Sequence, residues 1–210
     1  MKTREKIIST AIQLFNEKGY NTITTRHIAA ELNISPGNLH YHFKHSEDII
    51  KVVFSELLLA MDEMMNTLQQ TDHKTLQNLF DFTYRTYEIF YSYRFIFLNF
   101  VDILRKIPEI KTQYEQINLH RKTEFESIFL DFQKNRIFRE DIPDFIINNL
   151  STQIFIIADN WVTHNSLTLN LPKEEAIKHY SLIQMNLFYP LLNPEQQKLY
   201  QVNFIQKLKK

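Results

Sequence analysis

Between Thr24 and Lys44 the apolar positions fall into two short helical stripes separated by a tight turn. In the first stripe Ile28, Ala29 and Leu32 recur at i, i+1 and i+4, with Thr25 placed as N-cap. Asn33 follows, a residue that tolerates the left-handed conformation of a helix exit. Ser35 then caps a second helix over 35–45, and Pro36 takes its first position, where a missing N–H costs nothing. Ile34 and Leu39 have the spacing of a hydrophobic staple, which sets the angle of entry. This is a helix-turn-helix pattern. Upstream, Ile7, Ile8, Ala11, Ile12 and Phe15 predict a helix from Arg4 to Lys18, with Gly19 as the residue that ends it. Downstream, a long helix is expected from a Ser46 cap to Gln70, with a stripe of Ile49, Ile50, Val53, Leu57, Met61, Met64, Met65 and Leu68. Further helices are expected near 74–92, 94–106, 109–134, 142–166, 173–190 and 195–208, punctuated by Pro108, Pro143, Pro172, Pro190 and Pro194. No strand-like alternation interrupts them. The fold class is all-α, a three-helix helix-turn-helix domain over 1–47 followed by a larger helical domain over 48–210.

At about 100° per residue, the second helix of the pair turns Leu39 and Phe43 inward together. Gly37, Tyr41 and Lys44 point away, flanked by Asn38, His40, His42 and His45. An ordinary solvated face carries Glu and Lys. This one carries hydrogen-bonding side chains, one cation, and a glycine that lets the backbone approach something closely. Those are the features a DNA major groove asks for.

On these residues the chain resembles the N-terminal domain of TetR/AcrR-family transcriptional regulators. The matching pieces are FNEKGY (15–20), TTRHIAAELNIS (24–35) and GNLHYHFKHSEDII (37–50). His40 stands where the family's first Tyr normally sits, and Ser46 where a Lys is common. Both departures touch the DNA-contacting segment that the resemblance implies, so no relative's operator transfers to this chain. The resemblance implies a repressor that binds a palindromic operator as a dimer and answers to a small molecule held in an all-helical ligand-binding and dimerisation domain. The implied DNA contacts are Thr25, Arg26, Ser35, Pro36, Gly37, Asn38, His40, Tyr41, His42 and Lys44. Asn38 has the amide for a base edge, and Lys44 the charge for a phosphate.

Composition changes this picture little. The chain has 24 basic and 24 acidic residues, so no overall charge draws it to nucleic acid. Residues 1–51 hold seven lysines and arginines against five acids, with four histidines alongside, a modest local bias where DNA reading needs it. The absence of cysteine excludes disulfides, thiolate zinc sites and cysteine nucleophiles. No apolar run reaches the roughly 20 residues of a membrane span, so a cytoplasmic protein with no membrane partner is expected. Phosphate-loop, dinucleotide, G-x-S-x-G and H-E-x-x-H motifs are missing, and neither an enzyme nor a cofactor is expected. His42 and His45 could share a metal at i, i+3, but His40, His42 and His45 do not converge on one face and lack an acidic third ligand. No metal site is expected there, and His73, His120, His164 and His179 read as surface or capping residues.

Residues 80–104 are rich in rings, and Phe125, Phe129, Phe132 and Phe138 add more. Core packing is the simpler reading of any single ring. Together with the cavity that the resemblance implies, Tyr84, Tyr87, Tyr91, Phe97, Phe100, Val101, Leu104, Phe129, Phe132, Phe155 and Asp159 are the candidates to line a site for an apolar or amphipathic small molecule. The segment 145–161 is apolar on more than one face, beyond what one core needs. Ile154, Ile157, Ala158, Trp161, Ile183, Leu187, Phe188 and Leu191 are therefore the candidates for an isologous homodimer interface. Two other readings stay open: a helical protein-interaction adaptor without DNA binding, and a TetR-like activator with no small-molecule effector. The adaptor leaves the outer face of 36–45 unexplained.

Overall fold

Gly19 ends the first helix at φ 82°, a backbone conformation natural to glycine, and its N–H closes onto the Phe15 carbonyl at 3.1 Å. Comparable local signals divide the whole computed structural model, which describes residues 2–72 and 74–205. Among the described residues there are eleven α-helices. They are α1 (Thr3–Lys18), α2 (Thr25–Glu31), α3 (Pro36–His42), α4 (Ser46–Gln69), α5 (Leu76–Ser92), α6 (Arg94–Leu98), α7 (Phe100–Lys106), α8 (Pro108–Lys134), α9 (Asp144–Leu167), α10 (Lys173–Met185) and α11 (Pro194–Tyr200). A 3₁₀ turn at Tyr189–Leu191, a π turn at Gln201–Ile205 and one isolated antiparallel bridge between Phe138 and Leu192 complete the all-α fold.

Packing divides the chain into two compact units, Met1–Met61 with Ser92–Tyr114, and Asp62–Tyr91 with Glu115–Lys210. The first is wider than the 1–47 segment read from the pattern, because it takes in part of α4 and a stretch from the middle of the chain. Its core is Ile7, Ile8, Ala11, Leu14 and Phe15 of α1, Ile28 and Ala29 of α2, Leu39 and Phe43 at α3, and Ile49, Ile50, Val53, Phe54 and Leu57 of α4. Ile12 is only half-buried, and Leu14 takes the inward place expected of it. The segment 92–106 is fastened to α1 from several directions. Asn16 donates from Nδ2 to the Ser92 carbonyl at 2.8 Å and accepts the Phe95 N–H on Oδ1 at 3.0 Å, while the Phe15 and Phe95 rings lie 5.0 Å apart. The Tyr20 hydroxyl donates to Asp102, and Lys106 sits 3.2 Å from that carboxylate and donates to Asn21 at 2.9 Å.

The second unit packs around Phe129, Phe138 and Phe188, whose ring centroids lie 6.0–6.3 Å apart, with Phe132 5.3 Å from Phe138. Nearby in the same unit, Tyr87 stacks on Trp161 at 5.0 Å and its hydroxyl donates to Gln184. The buried Arg121 guanidinium joins Glu124 of its own helix to Asp62 of α4, and Gln69 of α4 donates to Glu124 at 3.0 Å.

Several boundaries differ from the pattern. The expected helix over 35–45 stops at His42, because Phe43 turns extended (φ −144°, ψ 119°) to bury its ring. The expected helix over 94–106 breaks at Asn99, whose side chain donates to the Phe95 carbonyl at 2.8 Å. The helix expected over 173–190 ends at Met185, and Pro190 lies in the 3₁₀ turn. The helix expected to 208 becomes the π turn at Gln201, and 206–208, like His73, lie outside the described residues. Ser46 opens α4 as its first residue rather than as its cap, with Asp48 Oδ2 accepting the His45 N–H at 3.1 Å.

Hydrogen bonds from Tyr20 and Lys106 hold the Asp102 carboxyl below the usual carboxylate range. A depressed carboxyl adds stability above its unfolded pKa, and that contribution is lost as pH falls through the folded value. Burial, helped by the Asp102 hydrogen bond, raises Tyr20, so its contribution is lost only in alkali, as pH climbs through the raised value. Asp102→Asn is therefore expected to lower stability at neutral pH, and the difference from the parent should shrink between neutral and strongly acid pH, as the carboxylate takes up its proton. Chemical denaturation at both pH values measures it; a constant difference would remove the carboxylate from the cause.

Candidate nucleic-acid interface

The Ser35 hydroxyl accepts the Asn38 N–H at 3.1 Å and starts α3, with Pro36 in the first turn. Asn33 immediately before it is left-handed (φ 53°), as the turn between α2 and α3 requires. Leu39 is fully buried and Phe43 nearly so, and this pair fixes the rotation of the helix. The opposite face is open. Gly37, Asn38, His40, Tyr41 and Lys44 are exposed, His42 is half-buried, and Tyr41 shows 85 % of its surface. The rings of Tyr41 and His42 meet edge to face at 5.3 Å, and the Arg4 guanidinium lies 5.2 Å over Phe43. Arg26 and Lys44 have no ion pair among the described residues, so both charges face water.

The cap of α2 is displaced by one residue. Thr24 is extended (φ −107°, ψ 166°) and is the N-cap, while Thr25 is the first helical residue and half-buried. The Thr24 N–H donates to His27 Nδ1 at 3.2 Å, which leaves the ring proton on Nε2. His27 thus holds the place that Glu or Gln takes in a capping box. The spacing Thr-x-x-His was visible in the sequence; the histidine hid its meaning.

Gly37 has an informative neighbourhood. A Cβ built there meets nothing nearer than Ser35 Oγ at 3.9 Å, an ordinary contact, and its φ lies outside the left-handed region. The fold does not require glycine at this position.

The other expected site residues are divided between the two units. Phe97, Phe100, Val101 and Leu104 belong to the first unit, whereas Tyr84, Tyr87, Tyr91, Phe129, Phe132, Phe155 and Asp159 belong to the second. Val101 is corrected outright: it is 61 % exposed and lines no interior. Phe129 and Phe132 are core rings in contact with other rings. Tyr84, Tyr91, Phe100, Leu104, Phe155 and Asp159 are half-buried, Phe97 and Tyr87 buried. Burial pushes the Tyr87 hydroxyl well above its ordinary pKa, and the Asp159 charge adds to the shift. Among the dimer candidates, Ile154, Ala158, Trp161, Phe188 and Leu191 are buried within the protomer and offer no free surface. Trp161 is covered by Tyr87, Tyr91 and Tyr180, rings whose partnership the linear pattern could not reveal. Ile157 and Leu187 are half-buried and Ile183 exposed, beside an exposed Ile156. No group of three or more His, Cys, Asp or Glu among the described residues is arranged to hold a metal ion, and no helix among them is long and apolar enough to cross a membrane.

A capped helix displaying an amide, a ring and an ammonium group from a helix-turn-helix, on an all-α chain, defines a DNA-binding regulator. Residues 7–53 match the model of bacterial regulatory proteins of the tetR family, and residues 59–200 match the model of a bacterial transcriptional repressor. The chain belongs to the TetR family and is a DNA-binding transcriptional regulator. It is 28 % identical over 159 residues to the biofilm operon icaADBC negative transcriptional regulator IcaR of Staphylococcus aureus, covering 69 % of this chain and 78 % of that one. It is 25 % identical over 154 residues to the probable transcriptional regulator YttP of Bacillus subtilis, covering 70 % and 73 %. A crystal structure of a TetR-family regulator from Marinobacter aquaeolei VT8 superposes with a TM-score of 0.83 at 29 % identity, covering 94 % and 95 %. The family is one of regulators, which are not enzymes.

Gly37→Ala separates folding from reading. Alanine is the better helix former and its Cβ has room, so stability should hold or rise by up to about 1 kcal/mol. DNA affinity should nevertheless fall. Thermal unfolding and fluorescence anisotropy on the same sample check this; loss of stability, or unchanged affinity, would show that the glycine serves no external surface.

Proposed function

We propose that this regulator is a ligand-responsive repressor that binds a palindromic operator as a homodimer in the cytoplasm. Residues 1–47 form the DNA-reading domain in this proposal, and 48–210 the helical ligand-binding and dimerisation domain. The observation that carries it is the large exposed ring of Tyr41, between exposed Asn38 and Lys44, on a helix whose other face is locked into the core. Each subunit lays α3 into the major groove, and the two-fold spaces the half-sites by one DNA turn, about 34–36 Å, or somewhat more. Asn38 pairs with a base edge, His40, Tyr41 and His42 reach bases or phosphates, and Lys44 holds a phosphate. Thr25, Arg26, Ser35, Pro36 and the backbone at Gly37 position the duplex. The repressor reading draws support from the repressor model matched over 59–200 and from IcaR, a negative regulator.

The effector is an apolar or amphipathic small molecule bound among the aromatic residues of the second domain. Its action is a coupling free energy: a ligand that prefers the state with mis-spaced reading helices weakens DNA binding by the same factor that DNA weakens its own. The helix α4, which starts beside the reading head, is the lever.

In this proposal the dimer face shifts from the buried stripe to exposed Ile156 and half-buried Ile157 of α9, exposed Ile183 of α10, and half-buried Leu187 in the turn that follows. An isologous interface through them leaves the buried Trp161 layer intact.

Lys44→Ala should lower affinity for all DNA about equally and reduce the salt slope by about one. Asn38→Ala should instead narrow the gap between operator and random sequence, by about 1–3 kcal/mol at one base pair. Competition binding at several salt concentrations separates the two roles, and indistinguishable effects would reject both. Ile156→Asp combined with Ile183→Asp should shift the protein from dimer to monomer in sedimentation velocity. A double variant that still sediments as a dimer would place the interface elsewhere.

A further inference from the structure

A cleft of about 170 Å³ opens between the end of α4 and the middle of α5, wholly inside the second unit. Its inner wall is Met64, Leu68 and Phe82, the last two buried members of the core. Its rim is polar and comes from one face of α5, where Asn78, Asp81 and Arg85 follow at i, i+3 and i+7. Across the cleft, the hydroxyls of Thr67 in α4 and of Thr71 just past its end turn back onto that helix, donating to the Glu63 and Thr67 carbonyls at 2.8 and 3.1 Å. Their donors are thereby used, and the charges of the rim rest with α5.

An acid four residues before a base is the favourable order for a helical ion pair. Asp81 and Arg85 nonetheless stay apart. Asp81 accepts the Gln77 amide at 2.9 Å, and Arg85 has neither a hydrogen bond nor an ion pair among the described residues. One negative and one positive group thus stand a helical turn apart above an apolar wall. A simple anion would meet Arg85 but be opposed by Asp81, and a simple cation the reverse. A molecule carrying both charges satisfies both groups.

We infer that this cleft takes a small zwitterion of the α-amino-acid class. Its carboxylate lies on the Arg85 guanidinium, whose fork matches a planar carboxylate. Its ammonium lies on Asp81, and its side chain rests against Met64, Leu68 and Phe82. An apolar cavity of about 150 Å³ holds a benzene ring, so the volume here suits an aryl or branched-alkyl body. The inference rests on the effector-binding reading of the second domain, gives that effector a chemical class, and moves its site from the aromatic candidates to this cleft, which none of them lines.

Isothermal calorimetry on the full-length protein tests it, with L-phenylalanine and L-leucine as zwitterions, 3-phenylpropanoate lacking the ammonium, and 2-phenylethylamine lacking the carboxylate. The zwitterions should bind with Kd of about 0.1–1 mM, and each one-headed analogue about tenfold or more weakly. Asp81 and Arg85 are exposed, so Asp81→Asn and Arg85→Gln should fold as the parent does. Asp81→Asn should erase the preference of L-phenylalanine over 3-phenylpropanoate, and Arg85→Gln its preference over 2-phenylethylamine. No heat from either zwitterion at about 10 mM, or binding untouched by both variants, overturns the assignment. Operator release followed in parallel keeps the two readings apart. Binding without release keeps the cleft and rejects its regulatory role; release insensitive to both variants rejects the cleft and leaves the effector reading in place.

Discussion

The burial of Leu39 and Phe43 beneath α3 is the constraint on which the surface of this regulator depends. A helix of seven residues has no stability of its own in water, so its position and rotation must come from tertiary burial. Full burial of a leucine and a phenylalanine contributes about 1.5–3 kcal/mol each, more than any single exposed contact on the other face could return. Rolling the helix by one residue, about 100°, would lift both rows out of the core. The exposure of Tyr41 therefore follows from what lies under it. The chain forgoes burying that ring, which leaves it free for the DNA contact proposed above.

Support for that arrangement comes from distant parts of the sequence. The first compact unit closes only with residues 92–114, held to α1 by the two-sided hydrogen bonding of Asn16 and by the Tyr20, Asp102 and Lys106 cluster, and to α4 by the 2.7 Å ion pair of Lys51 with Glu109. These bonds are individually modest, since water still reaches most of their charged groups, and they act by direction more than by strength. Asn16 uses both ends of its amide on one turn of backbone, which fixes an orientation that a hydrophobic contact alone would leave free to slide. The second unit contrasts with this. Its orientation comes from ring against ring, and the one buried guanidinium, Arg121, is matched to carboxylates from two helices.

How legible this was depended on how local each cause is. Caps, glycine stops and the inward stripe of the reading head involve residues within four positions of one another, and Gly19, Asn33, Ser35, Leu39 and Phe43 all stand where the periodicity put them. The shift of the cap from Thr25 to Thr24 was lost because a histidine did the work of a glutamate. In the second unit the deciding causes are non-local. Whether Trp161 faces a partner or its own chain turns on Tyr87 and Tyr91, some seventy residues earlier, and periodicity marks the residue as apolar on both accounts. The pattern therefore marked these positions as apolar without distinguishing residues buried in their own subunit from those left at its surface. Asp81 and Arg85 left no trace in a hydrophobic pattern at all, since an acid and a base on an exposed helix face are ordinary until their failure to pair is seen.

The size of the proposed ligand bounds what it can do. A ligand that binds only the released state stabilises it by RT ln(1 + [L]/Kd), about 1.4 kcal/mol per site at ten times Kd. One occupied cleft would then weaken operator binding about tenfold, and two in a symmetric dimer about a hundredfold. A shift of that size switches a promoter only if the DNA-competent state leads its rival by no more than a few kcal/mol before any ligand arrives. A regulator driven by a small zwitterion must therefore rest close to balance. Fastenings such as the Asp102 cluster, partly open to water, directional and individually weak, hold a shape without deepening its well, and a deeply buried lock in their place would put the switch beyond the reach of so small a molecule.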